Sequence, residues 1–152
     1  MKLSEALIER ADRQKRIEQL RQRLMRSAKV QDGEQPPENP QTLLAEVTDA
    51  IAELSNLIQR INRTNARTNF DEENTISDVL ARRDMLLLER SVIDSLVSTA
   101  AVMPTRYGLS EIKIVSTVDI AELQRQSDRL AQQYRELDTQ IQATNWETEL
   151  LD

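Results

Sequence analysis

A 152-residue chain with two glycines, four prolines and a formal net charge of −6 is one core's worth of sequence, poor in turn-forming residues. It has no cysteine and no histidine. That excludes disulfides, Cys/His zinc sites and Ser-His or Cys-His nucleophile pairs within the chain, and no motif calls for a cofactor. The four aromatic residues are Phe70, Tyr107, Tyr134 and Trp146, so Leu, Ile, Val and Ala must build the core. A thin aliphatic core suits long helices packed side by side.

The first thirty residues hold nine Lys or Arg against four acids, whereas the remainder is strongly acidic. An acidic bulk disfavours nucleic acid, and the basic start matches the charge of the rest. No apolar run reaches the roughly 20 residues that span a bilayer. Leu7-Ile8 is followed at once by Glu9 and Arg10, unlike a signal peptide, and the chain reads as cytoplasmic and free of membrane.

In chain order, a first helix is predicted from about Ser4, as N-cap, to Ala28. Leu3, Ala6, Leu7, Ile17, Leu20 and Leu24 form its stripe, interrupted by Arg10, Arg13 and Gln14. The interruption is a solvated stretch, a register-setting device or an arginine face for an anion. Gly33, Pro36 and Pro37 mark an internal loop over 31–39. Asn39-Pro40 then opens a second helix, with Asn39 as cap and Pro40 at the first helical position. Leu43, Leu44, Val47, Ala50, Ile51, Leu54, Leu57, Ile58 and Ile61 give it a regular apolar stripe.

After Ile61 the periodicity stops. Residues 62–69, with Asn62, Arg63, Asn65 and Arg67, read either as a fraying helix end or as a polar recognition loop. A third helix, capped by Thr75 or Ser77, runs to about Met103-Pro104. Val79, Leu86, Ile93 and Ala100 recur every seven residues, but Arg83 and Arg90 fall inside the same stripe. A guanidinium in a dry core costs several kcal/mol unless paired, so these must face water, a carboxylate or a ligand.

Residues 111–115 alternate and are β-branched, which predicts a short extended segment that needs a partner strand. The last helix opens with Asp119 as N-cap and Glu122 at N3. Ile120, Leu123, Ser127, Leu130, Tyr134, Leu137 and Ile141 then follow the narrow seam of a coiled coil, with Trp146 beyond it. The expected fold is all-α, a single domain over 1–152. It comprises four long helices in a bundle with coiled-coil-like packing and one extended segment near 111–115.

Five blocks spread along the chain are similar to the septicolysin-like family of small bacterial proteins. They are residues 2–17, Ile61-Asn62-Arg63-Thr64-Asn65, Leu80-Ala81-Arg82-Arg83-Asp84, Ser110-Glu111-Ile112-Lys113 and Leu137 through Trp146. The resemblance implies an all-helical cytoplasmic protein without an established biochemical function. Nothing in the chain supports the membrane attack that the family label suggests.

Three functional readings follow. In the first, a non-catalytic helical scaffold self-associates into a homo-oligomer through the apolar seams of the second and last helices, with Leu130, Tyr134, Leu137, Ile141 and Trp146 at the interface. In the second, Asn62, Arg63, Asn65, Arg67, Arg82, Arg83, Asp84, Arg106, Glu111 and Lys113 form one polar cluster. There Arg83-Asp84 pairs with Glu111-Lys113, and the cluster either locks the helical hairpin or, with Arg60, binds an anionic small molecule or a nucleic-acid end. In the third, Asp78, Asp84 and Glu111 hold Mg²⁺ for carboxylate chemistry, although the usual bundle version of such a site adds histidine.

Overall fold

A computed structural model describes residues 1–101 and 113–152. Four helices carry the chain: α1 (Leu3–Arg26), α2 (Pro40–Arg67), α3 (Ile76–Ala100) and α4 (Ile120–Glu147). Among the described residues there is no sheet. Their extended pairings are isolated antiparallel bridges, Lys2 with Glu149 and Asn69 with Thr75. The fold is all-α, as its composition requires, and the chain divides into two compact units, residues 1–76 with 142–152, and residues 77–141.

In the first unit α1 and α2 run antiparallel. Arg13 on α1 meets Glu53 midway along α2, and Arg23, further along α1, meets Glu38 just ahead of α2. Leu3, Ala6 and Leu20 from α1 and Leu43, Leu57 and Ile61 from α2 are buried. The start of α2 is the expected one: the Asn39 side chain accepts from the backbone N–H of Gln41 at 2.9 Å and of Thr42 at 3.2 Å.

The start of α1 lies two residues earlier than expected. Ser4 is buried inside the first turn, and the Glu5 carboxylate accepts the Lys2 N–H at 2.7 Å. The shift has a tertiary cause. The Leu3 N–H donates to the Thr148 carbonyl and the Leu150 N–H to the Met1 carbonyl, both at 2.9 Å, so the end of the chain ties down its beginning. Lys2 adds an ion pair to Glu149 at 2.6 Å.

Where the apolar period stops, α2 does not. It continues to Arg67 because Thr64, fully buried, joins the tail to the helix. Its hydroxyl donates to the Arg60 carbonyl at 2.8 Å and accepts the Leu151 N–H at 3.0 Å. Arg60 grips the same tail, donating to the Leu151 carbonyl at 3.1 Å and to the Asp152 carboxylate at 3.0 Å. The following turn closes on Asp71, whose carboxylate accepts from the Glu73 and Asn74 N–H groups.

In the second unit α3 and α4 are antiparallel, with Arg83 level with Asp138 and Arg90 level with Ser127. The start of α4 is capped by Asp119, which accepts the Glu122 N–H at 3.1 Å. The Glu122 side chain turns outward to Arg125 and Arg129 instead of completing a capping box. The expected extended segment falls partly outside the described residues. Residues 113–117 form neither helix nor strand.

The exposed clasps are ionic. Arg23 holds the Glu38 carboxyl, and Lys2 the Glu149 carboxyl, below the usual carboxylate range. What they contribute is therefore present above that range and is lost as pH falls through the lowered values. The buried clasp at Thr64 is the more consequential. Thr64→Val strands the Leu151 N–H and is expected to cost about 1–3 kcal/mol in chemical unfolding of the whole chain, with Thr64→Ser restoring most of it. Equal losses for both variants would show that the hydroxyl does not hold the tail.

Candidate functional site

The polar residues singled out in the sequence are distributed over both units. At the end of α2, Asn62, Arg63 and Arg67 are exposed and Asn65 is half-buried. Arg63 donates to the Asp152 carbonyl, so with Arg60 it holds the chain's own tail. On α3, Arg82 is exposed and Arg83 is half-buried. The latter donates to Asp138 at 2.9 Å and more distantly to Asp84 at 3.4 Å. Lys113 is exposed; Arg106 and Glu111 lie outside the described residues. The structure thus brings Arg83 and Asp84 together, and gives Arg83 its main partner, Asp138, from a helix the polar cluster did not include.

The arginines inside the α3 stripe each reach α4, Arg83 through Asp138 and Arg90 through Ser127, while Arg83 Nε is buried without a hydrogen-bond partner. Burial works to lower the Arg83 pKa, but the hydrogen bond to Asp138 and the nearby acids outweigh it and hold the group above its ordinary value. A second set of polar contacts lies about two turns further along α3. Arg90 Nε donates to Ser127 Oγ at 3.3 Å, and Ser127 in turn donates to Asp94 at 2.6 Å. These rungs alternate with the buried Val79, Ile93 and Leu130. A two-helix contact made only of aliphatic residues slides easily; paired charges at fixed levels select one register.

The interruption in α1 has the same role. Arg13 donates to Glu9 at 2.9 Å and 2.6 Å and to Glu53 at 2.6 Å. The open groove of about 500 Å³ beside it, between α1 and α2, is lined by Asp12, Arg16, Glu46 and Asp49 as well. No group of three or more acidic residues, among the described ones, is arranged to hold a metal ion. No helix among them is long and apolar enough to cross a membrane.

The α4 seam is covered within the chain: Leu130 and Ile141 are buried and Tyr134 and Leu137 half-buried, while Trp146 stays exposed. The large uncovered apolar surface is on α3. Met85, Leu88, Val92 and Leu96 line one face, with Leu88 57% and Val92 61% exposed. Their spacing of three, four and four places them roughly a third of a turn from the Val79, Leu86 and Ile93 face that meets α4. At the end of this stripe lies a pocket of about 220 Å³. Leu96, Thr99 and Ala100 form one side of it, and Ile114, Val115 and Val118 the other. Ile114 is 84% exposed. Periodicity alone carried the signal for this second stripe, but it was masked by the more regular heptad of Val79, Leu86 and Ile93.

A family model described as "Family of unknown function (DUF6847)" matches residues 10–150. The expected septicolysin-like membership is thereby corrected. Of the five blocks that suggested it, four fall on the start of α1, the last turns of α2, and the stretches of α3 and α4 that carry Arg83 and Asp138, while residues 110–112 lie outside the described ones. The chain is also similar, at 43% identity and a TM-score of 0.91, to a functionally unknown conserved protein from Corynebacterium diphtheriae known from a crystal structure. The similarity covers 99% of each chain. No protein of curated function matches.

The Arg83–Asp138 pair gives a direct test of register selection. Both side chains are less than a third exposed, so Arg83→Met or Asp138→Asn alone is expected to cost about 1–3 kcal/mol, below the loss at a fully buried pair. The double variant should recover part of this in a double-mutant cycle of unfolding free energies. Strict additivity would show that the pair contributes no coupling.

Proposed function

The chain belongs to the DUF6847 family of unknown function, and from its own surface we propose that it is a non-catalytic helical interaction protein that self-associates through α3. The uncovered stripe of Met85, Leu88, Val92 and Leu96 carries this reading. Ile114 and Val115, which share a pocket with Leu96, continue it, and an exposed apolar face of this kind marks an interaction site.

The stripe is suited to a second copy of itself. In a two-fold interface residue i meets j and j meets i. With α3 antiparallel to α3 about a point near residue 90, Met85 faces Leu96 of the second copy and Leu88 faces Val92. The bordering acids Asp84 and Glu89 fall opposite positions 96–97 and 91–92, so no acid meets an acid. Two α3–α4 hairpins joined this way complete a four-helix layer in which each α3 is covered on both apolar faces. Arg60, Arg63 and Arg83, which an anionic ligand would need, each already hold an oxygen of the chain, which favours this reading over ligand binding.

The mass in solution by light scattering is expected to be twice the 17.5 kDa of the chain. It should stay unchanged between low and high salt, because an apolar contact is not screened. Leu88→Glu with Val92→Glu should give the chain mass while keeping the helical circular dichroism. A wild-type mass equal to one chain, or a double variant that remains a dimer, would overturn the proposal.

A further inference from the structure

Resting on that self-association, we infer that each copy receives Met85 of the other in the pocket between the end of α3 and residues 114–118. That segment then folds over the partner's Ala81–Met85 turn. The pocket lies at the Leu96 end of the stripe, and its floor residues Leu96, Thr99 and Ala100 belong to α3 itself. In the antiparallel register those positions stand opposite 81–85 of the second copy. Met85 is 56% exposed, and its unbranched, adaptable side chain suits an irregular pocket of about 220 Å³.

The outer wall supports the same arrangement. Ile114 and Val115 are among the most exposed aliphatic residues described, at 84% and 71%. They stand beside the stripe and so extend it beyond the end of α3. An apolar wall next to an apolar helix face gains from a segment that fills the angle between them, and the only part of a second α3 that reaches it is the Ala81–Met85 turn. Charge agrees: exposed Lys113 enters this segment, and Asp84 borders the turn it would cover. A side chain seated in a pocket of the partner is the kind of anchor on which interfaces depend.

The absence of cysteine makes the test direct. Ala81→Cys and Val115→Cys are introduced singly and together, and each protein is treated with a short bis-maleimide and run under denaturing conditions. At about 1.5 Å per residue, the ends of the two α3 stripes near residue 98 lie roughly 24 Å apart across the two-fold axis, beyond a short linker. Within one chain position 81 is similarly far from the pocket. The double variant is therefore expected to give a covalent dimer and neither single variant to do so, and Met85→Ser in the double variant should diminish the product. Self-crosslinking of Val115→Cys alone would show that the two segments meet each other and would overturn the inference. So would an uncrosslinked double variant whose light-scattering mass is still that of a dimer. A double variant with the mass of one chain would instead reject the self-association on which the inference rests, and the inference with it.

Discussion

A helix in a two-helix hairpin can bury one stripe, and α3 carries two. This constraint shapes the second unit. α4 takes the face made by Val79, Leu86 and Ile93 and leaves Met85, Leu88, Val92 and Leu96 in water. Exposing four large apolar side chains on one line is unfavourable, and among the described residues of that unit no further helix covers them. On the proposed self-association, that α3 surface is half of a contact with a second copy.

The polar residues embedded in the apolar faces serve a different end. Arg13 with Glu9 and Glu53, Arg83 with Asp138, and Arg90 with Ser127 and Asp94 sit at intervals along helix pairs that leucine and isoleucine alone would hold without a preferred level. Their net energy is modest, since each guanidinium is partly desolvated to make its bonds. Their value is in fixing one register, the one in which Arg13 reaches Glu53, Arg83 reaches Asp138 and Arg90 reaches Ser127 across the helix pair. In the first unit the same demand is met by the tail, which clamps Thr64 and Arg60 on one side and the first residues of α1 on the other.

What the sequence discloses and what it conceals divide along chain distance. The caps at Asn39 and Asp119 are legible because donor and acceptor lie within three residues. That Arg83 and Arg90 need partners is legible from their place in an apolar stripe; that the partners are Asp138 and Ser127 is not, because they lie 55 and 37 positions away. The extension of α2 through Thr64 was hidden for the same reason, its stabilising bond coming from Leu151, 87 residues away. The seams of α2 and α4 were visible as apolar periods, but a period does not say which seam the chain covers for itself. Only the packed structure shows that α4 spends its seam internally and that α3 keeps an uncovered one.

If a second copy completes the α3 face, folding and association are linked, and stability must depend on concentration. The most direct measurement is the thermal unfolding midpoint of the intact chain over about a hundredfold range of protein concentration. Linkage then supplies up to about 2.7 kcal/mol of added stabilisation across the range. The account predicts a midpoint that climbs steadily with concentration. A midpoint that stays fixed across the range would mean that α3 is stable with its second apolar face in water, and would contradict it.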